Sequence, residues 1–254
     1  MKVCVLASGS KGNTTYVETE KHSLLIDVGM SSLKTEKKLS EIGVDPHSIH
    51  SILITHSHVD HIAGLRVFMK KYHPTLYVTP KIYKEIGEDF HMYDVVFIEG
   101  TFFLDDMEIS FFKTSHDTEE SLGYIISSSG KSMVYVTDTG YLSEKNLNKI
   151  KDKDLYIMES NHDVEMLMNG KYPYPIKQRI VGDRGHLSNK DSSYYLSEII
   201  GTHTKKVFLA HLSADNNTDE LALSTLEEVF HKRDIAFNNV TIAHQEEISE
   251  MVEL

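Results

Sequence analysis

The sequence contains a single cysteine, Cys4, among its 254 residues, and this excludes an internal disulfide bond. It also lacks a low-complexity tract, a linker and any apolar run long enough to cross a bilayer. The first apolar stretch, at residues 3–7, is too short for a secretory signal and runs directly into Ser-Gly-Ser-Lys-Gly-Asn, so we interpret it as a β-strand. These absences predict a cytoplasmic protein in a reducing compartment that does not contact a membrane.

Positive charge is also scarce, because 26 Lys and Arg against 38 Asp and Glu give a formal net charge of −12. This balance argues against a protein that coats nucleic acid electrostatically. It does not exclude an enzyme that binds nucleic acid locally, since bound divalent cations offset part of the negative charge. Histidine, by contrast, is abundant at 15 residues, which is the first compositional indication of metal binding.

Short β-branched runs alternate with helical patterns along the whole chain. The pattern predicts strands at residues 3–7, 15–18, 24–26, 52–55, 76–79, 109–113, 123–127, 133–137, 155–158 and 207–210, with an edge strand at 240–243. It predicts helices at residues 33–42, 62–72, 143–151, 192–200 and 221–231. No internal repeat of fixed period is visible, so we expect one compact α/β domain over residues 1–254.

Four of the predicted strands end in imidazole or carboxylate side chains. The strand at 52–55 is followed by a His-x-His-x-Asp-His motif, and three later strands end at one candidate ligand each. The candidates are His56, His58, Asp60, His61, His116, Asp138 and His211. These ligand types suit zinc, manganese or iron. Seven are too many for one tetrahedral ion, but they suit two ions that share an aspartate and a hydroxide.

The motif at residues 56–61 carries most of this prediction. A single histidine after a strand is usually a surface or hydrogen-bonded residue. Here three imidazoles and a carboxylate lie within six residues beside an apolar strand. That concentration is costly unless a cation compensates it, so we predict metal binding there.

The motif, followed in order by His116, Asp138 and His211, resembles the metallo-β-lactamase-fold superfamily over nearly the whole chain. The resemblance implies a four-layer αββα sandwich, in which two mixed β-sheets are flanked by helices and both metals lie at one edge of the sheets. It implies that His56, His58 and His116 hold the first ion. It also implies that Asp60, His61 and His211 hold the second ion and that Asp138 bridges the two.

Two carboxylates are candidates for supporting ligand histidines from behind. Asp27 lies in Leu-Ile-Asp-Val-Gly, a segment that resembles a superfamily element whose aspartate contacts a ligand histidine. The alternative for Asp27 is a turn residue before Gly29. Glu159 and His162 follow another predicted strand, and both are expected to line the cleft unless Glu159 instead supports a ligand.

Other details narrow the resemblance to one branch of the superfamily. Exported antibiotic-cleaving lactamases commonly carry a cysteine where Asp138 stands. Only 43 residues follow His211, too few for the helical C-terminal region of glyoxalase II-like thioesterases. The 72 residues between Asp138 and His211 leave no room for the large cap domain of some nucleases. Ribonuclease Z and the small phosphodiesterases are more similar. Segments 7–13, 159–163 and 185–189 resemble the YycJ/WalJ-like bacterial exonuclease and phosphodiesterase group.

These segments contain the remaining candidate site residues. His186 is predicted to protonate the leaving oxygen, with a capping role as its alternative, while Asp60 is either a pure ligand or a general base. Segment 7–13 either forms a tight turn or brings N–H and hydroxyl groups to a phosphate. The predicted substrate contacts are Ser8, Asn13, His162, Ser188 and Asn189.

A local excess of positive charge precedes His186. Residues 171–190 contain five basic residues against one acid, and Tyr172 and Tyr174 lie among them. Basic groups follow phosphates and tyrosines stack on bases, which is the pattern of single-strand binding. Ordinary variation of surface charge would produce the same pattern.

The resemblance implies a phosphodiesterase that uses two divalent ions (Zn, Mn or Fe) and a hydroxide bridging them to attack phosphorus. We expect a 5′-to-3′ exonuclease in DNA repair that binds the 5′ end of DNA, which we favour over RNA, with a small phosphodiester as the other open substrate. Two alternatives stay open. The same metal site would also hydrolyse a lactone or thioester, and a metal-binding module without turnover would keep the same ligands.

Overall fold

The first of two β-sheets contains the N-terminal and C-terminal strands of the protein. This computed structural model describes residues 1–87 and 90–254. The strands are β1 (Lys2–Ala7), β2 (Thr14–Glu18), β3 (Ser23–Ile26), β4 (Ser51–Leu53), β5 (Thr75–Val78), β6 (Val95–Phe97) and β14 (Val252–Glu253), in the order β14-β1-β2-β3-β4-β5-β6. Strands β3 to β6 pair in parallel, whereas β14, β1, β2 and β3 pair antiparallel.

The second sheet is formed by the strands from the middle of the chain onwards. They are β7 (Phe102–Leu104), β8 (Met107–Lys113), β9 (Leu122–Ser128), β10 (Lys131–Val136), β11 (Leu155–Glu159), β12 (Lys206–Ala210) and β13 (Val240–Ile242), in the order β13-β12-β11-β10-β9-β8-β7. Strands β10 to β13 are parallel, and β7 to β10 are antiparallel. Both sheets are therefore mixed, as predicted.

Helices connect the strands and cover the sheets. They are α1 (Ser32–Glu41), α2 (Val59–Ile62), α3 (Leu65–Tyr72), α4 (Pro80–Ile86), α5 (Glu144–Ile150), α6 (Val164–Asn169), α7 (Tyr174–Val181), α8 (Asn189–Ile199) and α9 (Asp219–Lys232), with a 3₁₀ turn at Pro46–Ser48. Several begin at the capping residues that such sequences favour. Ser188 caps α8 and Thr218 caps α9, each by accepting a hydrogen bond from a first-turn N–H.

Two groups of buried apolar residues hold the layers together. The larger group joins both sheets to α1, α3 and α4, and it includes Leu25, Phe68 and Phe208. The smaller group packs the outer face of the second sheet against α5, α8 and α9, with Leu196 and Phe230 as members. Helices on both outer faces of two packed sheets confirm the predicted αββα sandwich.

The structure corrects the predicted helix at residues 62–72, which is two helices, α2 and α3. Gly64 lies between the two helices, and glycine is needed there because a Cβ would overlap the backbone of Met30 and Ser32. Strands β6, β7 and β14 and helices α4, α6 and α7 were not predicted. All are short, and several expose apolar residues such as Phe97, Phe103 and Tyr174, so they lack the pattern that marks a core element.

Strand direction decides where the polar side chains meet. In each sheet the parallel strands end at the same edge, and β1 and β8 run in the same direction as the parallel strands of their own sheets. The residues that follow β1, β3, β4, β8, β10, β11 and β12 therefore converge. All the predicted metal ligands lie in these positions.

No helix among the described residues is long and apolar enough to cross a membrane.

Candidate metal centre

The seven predicted ligand side chains lie together at this edge of the sheets. Four overlapping sets have donor atoms within 4.8 Å of one another: His56, His58 and His116; Asp60, His61 and His211; His56, His61 and Asp138; and Asp138, Glu159, His186 and His211. Two of these sets match the two predicted ion sites. Asp138 belongs to both of the others, which places it between them.

The first set combines two histidines from the loop after β4 with one from the loop after β8. His116 Nε2 lies 3.2 Å from His58 Nδ1, and the rings of His56 and His116 are 5.2 Å apart. Burial, followed by the nearby His61, lowers the pKa of His56 well below its usual value. The imidazole is therefore neutral, which is the form that binds a metal.

The second set is arranged around two carboxylates. His211 Nε2 lies 3.5 Å from Asp60 Oδ2 and 3.5 Å from Asp138 Oδ1. His61 Nε2 lies 3.0 Å from Asp138 Oδ2. Asp138 Oδ1 is also 3.7 Å from His116 Nε2, so its carboxylate faces imidazoles of both sets. This is the position that a bridging ligand requires.

Negative charge accumulates behind the histidines. Asp27 and Glu159 are fully buried and Asp138 is 2% exposed. Burial alone would lower the pKa of His61, but the carboxylates of Asp138 and Asp27 raise it to about 10. Several carboxylates in one buried place need a positive partner, and a bound cation would supply it.

Each candidate ligand histidine has a polar partner on the ring nitrogen that faces away from the cluster. The pairs are His56 Nδ1 with Thr55 Oγ1 at 3.0 Å, His58 Nε2 with Asp117 Oδ1 at 3.4 Å, His61 Nδ1 with Asp27 Oδ2 at 2.7 Å, His116 Nδ1 with Gly185 O at 3.0 Å, and His211 Nδ1 with Glu159 Oε1 at 3.1 Å. Metal-binding histidines are normally oriented in this way. The partners leave the opposite nitrogens directed at the centre.

Three of the atoms directed at the centre have no hydrogen-bond partner among the described residues. They are His56 Nε2, Asp138 Oδ2 and His211 Nε2, and all three are buried. The carboxylate–imidazole contacts of Asp138 Oδ2 and His211 Nε2 given above are ion-pair contacts without hydrogen-bond geometry. Buried polar atoms are almost always satisfied, and leaving one unpaired costs about 1–3 kcal/mol. The residues present therefore fit the predicted pair of metal ions.

The backbone at the centre is strained at three positions. Asp27, Asp138 and His211 have φ angles of 61°, 56° and 57°, in the left-handed region that side chains other than glycine rarely adopt. Such strain costs about 1–3 kcal/mol per residue and concentrates at functional sites. Gly29 permits a further close contact, since a Cβ there would overlap the carbonyl oxygen of Asp60.

His186 and Glu159 form a close pair beside the ligand cluster. His186 Nδ1 lies 2.7 Å from Glu159 Oε1, and Glu159 Oε2 accepts hydrogen bonds from the N–H groups of Thr139 and Leu187. Burial alone would lower the pKa of His186, but the charge and hydrogen bond of Glu159 outweigh burial and raise it. Glu159 thus contacts both His186 and His211, which favours the supporting role over a position lining the cleft.

Segment 8–13 forms a turn whose polar atoms are mostly used within the protein. Gly9 N donates to Asn13 Oδ1 at 2.8 Å, and Gly12 N donates to Gly9 O at 3.0 Å. Ser8 Oγ accepts a hydrogen bond from His211 N at 2.7 Å. Asn13 Nδ2 lies 3.0 Å from His61 Nε2 and 3.3 Å from Asp60 Oδ2. The turn alternative therefore describes this segment, and Ser8 and Asn13 contact the candidate ligands.

The other three predicted substrate contacts are buried rather than displayed in the cleft. Ser188 caps α8, with its Oγ accepting from Asp191 N. Asn189 forms reciprocal amide hydrogen bonds of 2.8 Å with Asn217. His162 is 1% exposed, and its Nδ1 has no partner among the described residues. The geometry of Ser188 and Asn189 indicates a structural role.

Three of the basic residues before His186 already have partners within the protein, although only Lys177 is buried. Arg184 donates to the carbonyl oxygens of His116 and Thr118, both at 3.0 Å. Arg179 pairs with Asp117, and Lys177 donates to two carbonyl oxygens near the end of α6. The predicted phosphate-binding role does not fit these three contacts, because each group already has its partner.

Sequence reasoning missed several residues that shape the centre. Asp117, Thr55 and Arg184 contact a candidate ligand or its loop. Asp117 directly follows His116 and Thr55 directly precedes His56, so proximity in the sequence was a usable signal for both. Arg184 carried no such signal, because 67 residues separate it from His116 along the chain.

Comparison with known proteins identifies the family. The sequence pattern of the metallo-beta-lactamase superfamily matches residues 7–211, so the chain belongs to this superfamily. Exodeoxyribonuclease WalJ of Streptococcus pneumoniae is 39% identical over 241 residues, which cover 92% of this chain and 90% of that protein. Exodeoxyribonuclease YycJ of Bacillus anthracis is 37% identical over 237 residues, covering 90% and 89%. The predicted resemblance to the YycJ/WalJ-like group is confirmed.

A solved structure supports the same fold. The metallo-beta-lactamase fold protein YhfI from Bacillus subtilis superposes with a TM-score of 0.73 at 17% identity and covers 98% of each chain. At this identity the similarity concerns the fold alone.

Proposed function

We propose that this protein is a dinuclear-metal phosphodiesterase that removes nucleotides from the 5′ end of DNA. The observation that carries the proposal is the pairing of His186 with Glu159 at 2.7 Å beside the seven candidate ligands. The two relatives named exodeoxyribonuclease support DNA as the substrate. The proposal treats residues 1–254 as one catalytic domain.

Two sets of residues would hold the ions. His56, His58 and His116 form one set, and Asp60, His61 and His211 form the other, with Asp138 facing both. Zinc, manganese and iron all accept these ligands. Two such ions supply Lewis acidity for the phosphate and activate water as the nucleophile.

His186 is suited to deliver the proton that the leaving oxygen needs. Glu159 Oε1 accepts a hydrogen bond from Nδ1, which leaves Nε2 as the nitrogen that faces outward. The raised pKa keeps the ring protonated over a wider pH range. A side chain that is 19% exposed can reach a bound substrate while Glu159 holds its orientation. Protonation of a leaving alkoxide by a positioned acid contributes about 10²–10⁴-fold.

Asp60 acts as a ligand in this proposal rather than as a general base. Its Oδ2 lies 3.5 Å from His211 Nε2 and 3.6 Å from His61 Nε2, the two candidate ligands of the second ion. This position suits a third ligand of the same ion. Asn13 Nδ2, at 3.3 Å, would hold this carboxylate in place.

Digestion of 5′-labelled and 3′-labelled oligonucleotides tests the proposal. Single- and double-stranded DNA and RNA are incubated with zinc, manganese or iron(II), and products are followed with time. The expected result is early release of mononucleotide from 5′-labelled DNA and progressive shortening of 3′-labelled DNA. RNA should be cleaved more slowly.

Model esters separate the proposal from its alternatives. Bis-p-nitrophenyl phosphate, a lactone and a thioester are compared under the same metal conditions. Faster hydrolysis of the lactone or thioester, with DNA intact, would replace the proposal with a carbonyl hydrolase. Stoichiometric metal without hydrolysis of any ester would indicate a binding module.

A further inference from the structure

The C-terminal segment, residues 244–254, lies beyond residues 7–211, the part that matches the superfamily pattern. It runs antiparallel to β1, starting at the metal-binding edge of the sheet and moving away from it. Val252 pairs with Val3, Ser249 N donates to Val5 O at 2.9 Å, and Ser8 N donates to His244 O at 3.0 Å. The segment therefore begins its path along β1 next to the turn formed by residues 8–13.

Gln245 holds this turn through both atoms of its amide. Its Oε1 accepts a hydrogen bond from Lys11 N at 2.7 Å, and its Nε2 donates to Gly12 O at 3.1 Å. Only one orientation of the amide satisfies both backbone groups. A Cβ at Gly9 would lie 2.6 Å from Gln245 Oε1, which shows how closely the turn packs against this side chain.

The turn contacts one of the two ligand sets and not the other. Asn13 N donates to Asp60 O at 2.7 Å, and Asn13 Nδ2 lies 3.0 Å from His61 Nε2. Ser8 Oγ accepts from His211 N at 2.7 Å. Among the hydrogen bonds of the described residues, none joins the turn to His56, His58 or His116.

The first ligand set is held from a different part of the chain. Arg184 Nε donates to His116 O, and His116 Nδ1 lies 3.0 Å from Gly185 O. Thr55 Oγ1 contacts a ring nitrogen of both His56 and His61, but the outermost contacts of the two sets differ. Residues 184–185 support the first set, and the C-terminal segment supports the second through the turn.

We propose that Gln245 is a positioning residue that sets the metal affinity of the Asp60–His61–His211 set. The proposal rests on the ligand assignment of the proposed function. Gln245 acts by holding the turn in place. The turn residues Ser8 and Asn13 then keep the three ligands of this set in their positions. Residues behind metal ligands typically change metal affinity by about 10–100-fold when they are replaced.

The test measures Zn²⁺ binding without any substrate. Each ligand set is isolated in turn, with His116→Ala to impair the first set and Asp60→Ala to impair the second. Gln245→Ala is then added to each background, and Zn²⁺ is titrated against a chromophoric chelator. The expected result is about 10–100-fold weaker binding in the His116→Ala background and unchanged binding in the Asp60→Ala background.

Two further variants sharpen the test. Gln245→Glu keeps the acceptor for Lys11 N but loses the donor to Gly12 O, so it should fall between wild type and Gln245→Ala. Glu247→Ala removes an exposed side chain of the same segment that forms no hydrogen bond to the turn, and it should bind Zn²⁺ like wild type.

Equal weakening of both sets, accompanied by a lower melting temperature, would assign Gln245 to general stability and overturn the proposal. Unchanged affinity of both sets would overturn it as well. A wild-type chain that binds two ions but leaves DNA intact would refute the nuclease function only. A wild-type chain that binds fewer than two ions would refute the ligand assignment and this proposal together.

Discussion

Glu159 Oε1 lies 2.7 Å from His186 Nδ1 and 3.1 Å from His211 Nδ1, so one buried carboxylate contacts both the candidate acid and a candidate ligand. This arrangement links proton delivery to metal binding. It also allows the two roles to be separated by substitution, because His186 belongs only to the first and His211 only to the second.

Replacing His186 should affect only substrates whose leaving group needs a proton. For His186→Ala we expect full metal content and about 10²–10⁴-fold slower cleavage of DNA. Hydrolysis of bis-p-nitrophenyl phosphate should fall much less, since p-nitrophenolate leaves without protonation. Metal analysis and kcat on both substrates provide the measurement.

His203→Ala is the matched control, because this exposed histidine also pairs with a carboxylate, that of Asp152 at 2.8 Å. It should behave like wild type. An equal loss of rate on both substrates for His186→Ala would rule out the acid role.

Replacing Glu159 should change the pH profile of the reaction. Glu159 raises the pKa of His186, and the acid works only when protonated, so activity falls as pH rises through that pKa. In Glu159→Gln the pKa of His186 drops, and the falling limb of kcat on DNA should move to lower pH. The profile is measured at saturating metal to offset weaker support of His211. A limb that stays in place, or one that moves equally with bis-p-nitrophenyl phosphate, would contradict this assignment.

Replacing Asp138 should remove metal and turnover together. Its two oxygens face His61 at 3.0 Å and His211 at 3.5 Å, so Asp138→Ala removes the residue between the two ion sites. We expect less than two ions per chain after dialysis and no measurable cleavage of DNA. Asp138→Asn keeps the shape without the charge and should retain more metal than the alanine variant. Full metal content in Asp138→Ala would refute the bridging role.

Replacing Gly29 should destabilise the protein through a backbone clash. The added Cβ would overlap Asp60 O and the N–H of Asn13, which cannot move without shifting both segments. Gly29→Ala should cost about 1–3 kcal/mol of unfolding free energy and weaken metal binding. Gly100→Ala is the control, since a Cβ there meets open space. Urea denaturation of both variants gives the comparison, and equal stabilities would show that the site relaxes.

The sequence by itself predicted the candidate ligand set and, through its resemblance to the metallo-β-lactamase-fold superfamily, determined the fold class. Three imidazoles and a carboxylate within residues 56–61 are costly to bury without a compensating cation, wherever they fold. The motif is local, so its metal-binding chemistry can be predicted from the sequence alone. Asp27 was likewise predicted, by resemblance, to support a ligand histidine, and the structure places it 2.7 Å from His61.

Only the tertiary structure decided which remaining polar residues belong to the site. Arg184 lies 68 residues from His116 along the chain, and Gln245 lies 234 residues from Lys11, yet both pairs are in direct contact. The structure also places Asn189 in a buried amide network and pairs Lys177 and Arg184 with backbone carbonyl oxygens. Such contacts arise from the order and direction of strands in two sheets, which bring distant loops to one edge. The separation of two residues along the chain therefore does not predict whether they are close in space.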